Sequence, residues 1–230
     1  MFREYTCLYE VRTIIPSNND IGTMLNNVNK HNSSLAVYIE DEEALVKKGF
    51  FNFIFQDAVG IYQNSSHLAC IMRCIYLVPF RIIVKFRFIQ YLKKKRYGWL
   101  LAKWFDYRFH VKTAKMGCYL EPDSDIAPGL NFPHGFPVVI HSHAKLGLHC
   151  IVHPNVQIGT SRTKDGAPVI GDYCFLGNGC HIIGNCKIGD WCFISPGAFI
   201  CKDIPKGSVV GYGLNNIISD KGKETVSLYL

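Results

Sequence analysis

Residues 140–159, IHSHAKLGLHCIVHPNVQIG, and residues 170–200, IGDYCFLGNGCHIIGNCKIGDWCFISPGAFI, carry one pattern that repeats every six positions. The repeating residues are large and aliphatic: Ile140, Leu146, Val152, Ile158, Ile170, Leu176, Ile182, Ile188, Ile194 and Ile200. The single gap, from Ile158 to Ile170, spans twelve residues, so the phase continues across it. A period of six is neither the period of an α-helix, about 3.6, nor that of a simple strand. It is typical of a parallel β-helix built from hexapeptides, so we expect a mainly β fold.

Two other positions of the repeat fit a triangular coil. The residue after the aliphatic one is often glycine: Gly147, Gly159, Gly171, Gly177 and Gly189. The fifth position is small: Ala144, Cys150, Val156, Cys174, Cys180, Cys186, Cys192 and Ala198. In such a coil the aliphatic side chains fill the interior and glycine relieves the backbone at a corner, while the small residue fits where two faces converge.

The ladder has two irregularities, and each is a candidate site. It begins before residue 140, with large residues six apart at Leu120, Ile126 and Phe132. The phase then slips by two within PHGFP, residues 133–137, and an insertion in a regular ladder must bulge outward. His134 stands in this bulge, where a side chain that titrates near neutral pH makes a candidate site. The segment TSRTKDGAP, residues 160–168, lacks ladder residues and is predicted to be an exposed binding loop.

The pattern divides the chain into four parts. We expect a poorly defined extension at residues 1–48, a basic α-helical domain at 49–117, the β-helix at 118–218 and a tail at 219–230. The tail either caps the open end of the β-helix or is free. Helix breaks are predicted near residues 64–66, at Pro79 and near Gly98.

The positive charge is concentrated in the helical region. The formal net charge is +7, but residues 68–115 contain twelve basic residues and one acid, Asp106, and therefore carry +11. Two interpretations fit: solvated charges on a domain packed against the β-helix, or a peripheral contact with an anionic membrane. Interrupting charges and Pro79 argue against a spanning helix, and no nucleic-acid partner is expected because no reading motif is present. Since the first twenty residues contain no apolar core of a signal peptide, we expect a cytoplasmic protein, with the inner membrane face as a peripheral location.

The cysteine pattern also favours a reducing compartment. Of ten cysteines, five occupy the small position of the repeat, where a free thiol acts as a compact apolar filler. Cys174 and Cys192 are eighteen residues apart, so they stack on adjacent coils, and a bridge between them is not geometrically excluded.

Three passages resemble the serine acetyltransferase-like hexapeptide acyltransferases, and among these the polysaccharide or sugar O-acetyltransferases most closely. They are IAPGLNFPHGFPVVI at residues 126–140, the coil from residue 170 onward, and the loop end GAPVIGD at residues 166–172. The resemblance implies a left-handed parallel β-helix with an N-terminal helical domain. It also implies acetyl-CoA as co-substrate with no metal, and homotrimers with active sites between subunits. Serine acetyltransferases further pair two trimers through the helical domain.

The resemblance assigns roles to individual residues. His134 matches the catalytic histidine, a general base that removes the proton of the acceptor hydroxyl. Glu121 or Asp123 is expected to orient it, and His153 to touch the acceptor or the thioester. The residues expected to bind the cofactor are Asn178, Pro196, Gly197, Cys201, Lys202 and Lys206, of which the two lysines meet the phosphates of coenzyme A.

The predicted acceptor depends on positions where this sequence differs from the serine acetyltransferases. Their polar groups are replaced by Tyr119, Pro133 and Ala167, which cannot hold a small zwitterion by paired charges. The sequence therefore predicts acetyl transfer to a hydroxyl of a capsular or surface glycan, with serine O-acetylation for cysteine biosynthesis as the alternative. Two remoter alternatives are a carbonic-anhydrase-like enzyme with zinc held by three histidines across a subunit interface and a non-catalytic β-helix scaffold.

Overall fold

The computed structural model describes residues 50–61, 76–95, 98–161 and 165–229. The predicted extension at residues 1–48, the helix break near residues 64–66 and part of the loop at 160–168 lie outside these ranges. Four helices are present in the described part: α1 Phe50–Ile61, α2 Val78–Lys93, α3 Trp99–Ala114 and α4 Gly222–Ser227. Pro79 lies in the first turn of α2, where its missing N–H is tolerated, so the predicted break is the start of this helix.

Fifteen short strands follow the helical region in the described residues. They are β1 Cys118–Leu120, β2 Asp125–Ile126, β3 Val138–Ile140, β4 Lys145–Leu146, β5 Ile151–Val152, β6 Val156–Gly159, β7 Val169–Ile170, β8 Phe175–Leu176, β9 His181–Ile183, β10 Lys187–Ile188, β11 Phe193–Ile194, β12 Ala198–Ile200, β13 Val209–Val210, β14 Gly213–Leu214 and β15 Ile217–Ser219. They form three sheets: a first of β1-β3-β6-β9-β12-β14, a second of β10-β7-β4-β2 and a third of β15-β13-β11-β8-β5.

The pairing of these strands makes a parallel β-helix. Every third strand pairs with the one a full coil earlier, so Ile158 lies beside Ile140 and Ile182 beside Ile158. All the strand pairs are parallel except β13 with β15, which closes the solenoid in antiparallel fashion. The six-residue period therefore predicts both the sheets and their register, and the expected β-helix fold is confirmed.

The interior is the predicted aliphatic ladder. All ten repeating residues from Ile140 to Ile200 are at most 3% exposed, and the residues at the small position are at most 1% exposed. The thiols in this interior are free, including Cys174 and Cys192, so no bridge joins them. Burial raises the pKa of the Cys180 thiol to about 12, so this thiol is an apolar filler at neutral pH.

The helical region closes the N-terminal end of the solenoid. Ile82, Ile83, Phe86 and Ile89 of α2 join the same apolar core as the first coils. A buried ion pair fixes the contact, with Arg87 Nε donating to Asp57 at 2.8 Å. Arg87 also donates to the carbonyl of Ile126 at 2.6 Å, and Asp57 accepts from the N–H of Gly129 at 2.7 Å. Each buried charge thus has several partners, the condition under which such a pair is tolerated.

The C-terminal tail packs against the outside of the third sheet. Val226 of α4 is fully buried, and the N–H of Gly222 donates to the carbonyl of Gly207 at 2.6 Å. The ring of Tyr229 lies 4.5 Å from that of Phe175 and 5.6 Å from that of Phe193. The described tail is therefore docked, and it covers an aromatic face. No helix among the described residues is long and apolar enough to cross a membrane.

Candidate active site

The predicted bulge is present at the corner between the third and first sheets, which we call the His134 corner. Phe132 is buried and anchors the start of residues 133–137, and the N–H of Gly135 donates back to its carbonyl at 3.2 Å. Gly135 has a φ of +80°, and a Cβ there would lie 3.3 Å from the ring of Pro79 at the start of α2. These constraints hold His134 at the exposed surface of a short, anchored turn.

His134 lies beside a second histidine. The centroids of the His134 and His153 rings are 5.3 Å apart. His153 follows β5, where its N–H donates to the carbonyl of Leu176 at 3.0 Å, and its ring contacts Phe175 at 4.7 Å. Burial, followed by the charge of His134, lowers the pKa of His153. His153 is therefore neutral at neutral pH, and a neutral imidazole both donates and accepts a hydrogen bond.

The two acids expected to orient His134 have other partners. Glu121 lies 3.4 Å from Nε2 of His110, and Asp123 forms an ion pair with Lys93 at 3.0 Å. Within the described residues of one chain, neither carboxylate is hydrogen-bonded to His134. A role for either acid in orienting the base remains a prediction.

Three of the residues expected to bind the cofactor, Asn178, Pro196 and Gly197, lie at the His134 corner in the following coils. The N–H of Gly179 donates to the carbonyl of Pro154, and that of Gly197 donates to the carbonyl of Asn178, both at 3.0 Å. Asn178 Oδ1 also accepts from Asn155 Nδ2 at 3.2 Å. Asn178 and Pro196 are exposed. The structure thus brings His134, His153, Asn178, Pro196 and Gly197 together along one corner.

The other three cofactor residues lie on different corners. Cys201 and Lys202 are exposed where the chain turns from the first sheet to the second, and the N–H of Cys201 donates to Asn215 Oδ1 at 2.9 Å. Lys206 lies between the second and third sheets, where its Nζ pairs with Asp190 at 3.1 Å. Within one chain, Lys206 and Lys202 therefore lie on different corners of the β-helix, although the sequence predicts that both bind phosphate.

The outer face of the first sheet runs from the His134 corner to the turn that holds Cys201 and Lys202, and the sequence assigned its residues no role. His181 Nδ1 lies 3.0 Å from Gln157 Oε1, and the centroid of its ring lies 6.1 Å from that of Phe199. All three residues immediately precede a ladder residue, so the six-residue phase marks them as outward-facing. That phase alone carries no signal of chemistry, which is why they were overlooked.

Two pairs of histidine rings lie close together among the described residues. Besides His134 with His153, the rings of His141 and His143 are 5.3 Å apart. Among the residues described, no three histidine, cysteine or carboxylate side chains converge as metal ligands.

The comparisons with known sequences agree with this architecture. Residues 167–202 match the family described as bacterial transferase hexapeptide (six repeats). The serine acetyltransferase of Synechococcus elongatus is 26% identical over 103 residues, and that of Synechocystis is 34% identical over 105 residues. Each alignment covers 44% of this chain and 42% of the relative, so the chain spans less than half of the length of these curated relatives.

Solved serine acetyltransferases share the fold. The enzyme of Neisseria gonorrhoeae has a TM-score of 0.62 at 23% identity, covering 74% of this chain and 66% of that one. Serine acetyltransferase 1 of Entamoeba histolytica has a TM-score of 0.57 at 22% identity, covering 85% and 78%. Likeness at such identities shows the fold alone.

These findings concern the repeat region and the fold. Residues 167–202 match the hexapeptide-repeat transferase family, and the described chain has the fold of solved serine acetyltransferases. The expected place in the sugar-acetylating branch is not supported, because the relatives reported above are named serine acetyltransferase.

Proposed function

We propose that this chain is an acetyl-CoA-dependent O-acetyltransferase with His134 as its general base. The observation that carries the proposal is the exposed His134 on an anchored bulge, 5.3 Å from a half-buried His153. An exposed imidazole can reach a hydroxyl that enters from solvent. An alcohol is a weak nucleophile until its proton is being removed, and histidine does this well near neutral pH.

The reaction is a direct transfer without a covalent enzyme intermediate. His134 takes the hydroxyl proton while the oxygen attacks the thioester carbonyl and forms a tetrahedral oxyanion. The carbon–sulfur bond then breaks, the thiolate of coenzyme A leaves, and the proton passes from His134 to that sulfur. The N–H of a neutral His153 and backbone N–H groups of the His134 corner are suited to stabilise the oxyanion.

Residues along the same corner support the binding of acetyl-CoA. Asn178 and Pro196 are exposed, and Gly197 is half-buried beside them, in successive coils that continue the His134 corner. Lys202 is an exposed cation one face away, and its side chain is suited to a phosphate of the cofactor. We propose that acetyl-CoA lies along the outer face of the first sheet, between Lys202 and the His134 corner.

Serine is the acceptor that the comparisons favour. Both curated relatives are named serine acetyltransferase, and one is 34% identical over the matched residues. A sugar hydroxyl is the second candidate, and a specific observation favours it. Tyr119 stands where the serine enzymes have an acid, and in the structure it is 50% exposed with Glu121 as its hydrogen-bond partner, an interaction that raises the pKa of Tyr119.

We also propose that the active unit is a homotrimer with the site between subunits. The outer face of the first sheet leaves Phe199 41% exposed and Leu214 65% exposed, and a partner subunit is suited to cover these side chains. Light scattering at micromolar concentration tests this, with a trimer mass expected. A stable and fully active monomer contradicts it.

The acceptor is decided by measuring the thiol released from acetyl-CoA. The full chain is assayed with L-serine and, separately, with a panel of sugars and glycan fragments. A kcat/KM for L-serine of about 10⁴ M⁻¹s⁻¹ or more establishes serine O-acetylation. Turnover confined to sugars establishes the second candidate. Absence of acetyl transfer to any acceptor overturns the proposed function and favours a non-catalytic scaffold.

A further inference from the structure

A groove between α2 and α3 is lined by cations and aromatic rings. Its volume is about 630 Å³. The residues that matter here are Lys85, Arg108, Lys112, Lys115, Trp104 and Tyr107. We call this groove, with the adjoining exposed side of α3, the α2–α3 surface. None of its residues belongs to the site proposed for acetyl transfer.

The cations of this surface have no acidic partner among the described residues. Asp106 is the single acid between residues 76 and 115, and its Oδ2 is already paired with Lys93 at 2.9 Å. Partial burial lowers the pKa of Lys85, and contact with Lys112 lowers it further. A group of like charges without counterions is a strong local field for anions.

The rest of the surface is apolar and exposed. Large side chains of α3 are 44% to 69% exposed: Trp99, Leu100, Leu101, Trp104, Tyr107 and Val111. Cations lie over two of the rings, with Lys103 5.1 Å from the centroid of Trp99 and Arg108 5.7 Å from that of Trp104. The opposite side of α3 buries Ala102 and Phe109 against the protein. An outer helix face that mixes tryptophan, tyrosine and leucine with basic residues suits the interface of a bilayer.

We propose that the α2–α3 surface docks on an anionic phospholipid bilayer. The lipid phosphates lie against Lys85, Arg108 and Lys112, while the rings of Trp99 and Trp104 enter the headgroup region. Charge complementarity selects this occupant. A second copy of the same surface would place the cations opposite their own counterparts, and a nucleic acid has no use for the exposed Leu100 and Leu101.

Vesicle flotation of the full chain tests the proposal. Phosphatidylcholine vesicles with and without phosphatidylglycerol are compared, at low and high salt. We expect binding only to the vesicles that contain phosphatidylglycerol, weaker at high salt because the ions screen the lipid charge. Each basic residue near such a surface is worth about a fivefold change in binding, so Arg108→Glu/Lys112→Glu weakens it at least about 30-fold.

Two matched variants make the result specific. Lys187→Glu/Lys221→Glu makes the same change in net charge at one exposed position of the β-helix and one of the C-terminal tail, and it is expected to leave vesicle binding nearly unchanged. Trp104→Ala keeps every charge, and it should weaken binding while the salt dependence persists. Circular dichroism of each variant checks that it is folded.

Several results overturn the proposal. The first is that the chain does not bind vesicles that contain phosphatidylglycerol, and the second is that it binds neutral vesicles equally well. The third is that the Lys187→Glu/Lys221→Glu control loses as much binding as Arg108→Glu/Lys112→Glu. The proposal also fails if the chain does not bind vesicles and light scattering shows that Arg108→Glu/Lys112→Glu breaks up an oligomer. The α2–α3 surface would then be a contact between copies of the chain. None of these results depends on acetyl transfer, so this proposal and the proposed function fail separately.

Discussion

Two corners of the β-helix carry histidines at comparable turns, yet they are built in opposite ways. At the corner between the second and third sheets, which we call the stacked corner, the His149 and Tyr173 rings stack at 5.3 Å and the Tyr173 and Trp191 rings at 4.3 Å. Lys223 covers the end of this column at 5.3 Å from the Trp191 ring. At the His134 corner, His134 is exposed and its neighbour His153 is half-buried.

The stacked corner shows what a structural histidine looks like in this fold. His149, Tyr173 and Trp191 have φ values of 52°, 55° and 57°, a left-handed conformation that is unfavourable for bulky residues. Stacked rings stabilise by about 0.5–1.5 kcal/mol per pair, which offsets part of this strain. At the stacked corner the rings pack against one another, whereas at the His134 corner the His134 side chain faces solvent. The exposed His134, and not the stacked rings, is therefore the side chain that can reach a substrate entering from solvent.

The largest effect is expected from replacing the base. His134→Ala should lower turnover by about 10² to 10⁴, the usual contribution of a general base, with little change in the affinity for acetyl-CoA. His149→Asn is the matched control, because asparagine tolerates a left-handed φ and the side chain lies on the other corner. Steady-state kinetics of both variants is the measurement. If His134→Ala turned over as fast as the original chain, His134 would not be the general base.

Breaking the stacked corner should reduce stability and leave the chemistry intact. Trp191 is 8% exposed, so Trp191→Ala is expected to cost about 3–5 kcal/mol in the free energy of unfolding. The control is Tyr212→Ala at the His134 corner, where the ring is 79% exposed and the expected change is within about 0.5 kcal/mol. Denaturant unfolding gives both values. If Trp191→Ala instead abolished turnover in folded protein, the stacked corner would be part of the active site.

The two lysines predicted to bind coenzyme A lie on different corners, so they test which corner binds the cofactor. Lys202 is exposed and lies at the end of the proposed cofactor face, so Lys202→Ala should raise the KM for acetyl-CoA about tenfold, the scale of one charge-assisted contact. Lys206 is paired with Asp190, and Lys206→Ala should leave this KM nearly unchanged. Initial rates at varied acetyl-CoA are the test. A larger effect at Lys206 would mean that the assembled protein brings the stacked corner to the cofactor.

The sequence predicts the β-helix well because its period records the fold directly. Each coil repeats the same three buried positions, so the ladder from Ile140 to Ile200 marks sheets, register and core together. The two-residue slip likewise predicts the bulge of His134. The phase is lost near the C-terminal end, where Val210 pairs with Ile194 only sixteen residues earlier. The position of Lys206 therefore could not be predicted by counting hexapeptides.

Partners from distant elements were beyond the reach of the sequence. The pairing of Asp57 with Arg87, and of Asp123 with Lys93, joins residues thirty positions apart through the packing of helices on the first coils. No period specifies such contacts. The sequence offered Glu121 or Asp123 as the group that orients His134. Within the described chain these acids contact His110 and Lys93, and the orienting role stays a prediction.

The smallest expected effect concerns the second histidine of the His134 corner. The ordinary pKa of histidine is 6.5, and burial together with the charge of His134 lowers that of His153 in the folded chain. Below about pH 6.5 the unfolded chain therefore binds more protons than the folded one, and stability falls as the pH drops through this window. Unfolding of the original chain and of His153→Gln at several pH values measures it, since each pKa unit is worth about 1.4 kcal/mol.

Removing His134 separates the two causes of this shift. Burial is the larger cause, so in His134→Ala the pKa of His153 should rise only part of the way back to 6.5. Titration of the His153 ring by NMR in both proteins gives the two values. A pKa at or above 6.5 in the original chain would show that burial and the neighbouring charge do not lower it, and it would remove the reason for treating His153 as a neutral donor to the oxyanion. A full return to 6.5 in His134→Ala would instead assign the whole shift to the neighbouring charge and place both rings in one electrostatic unit.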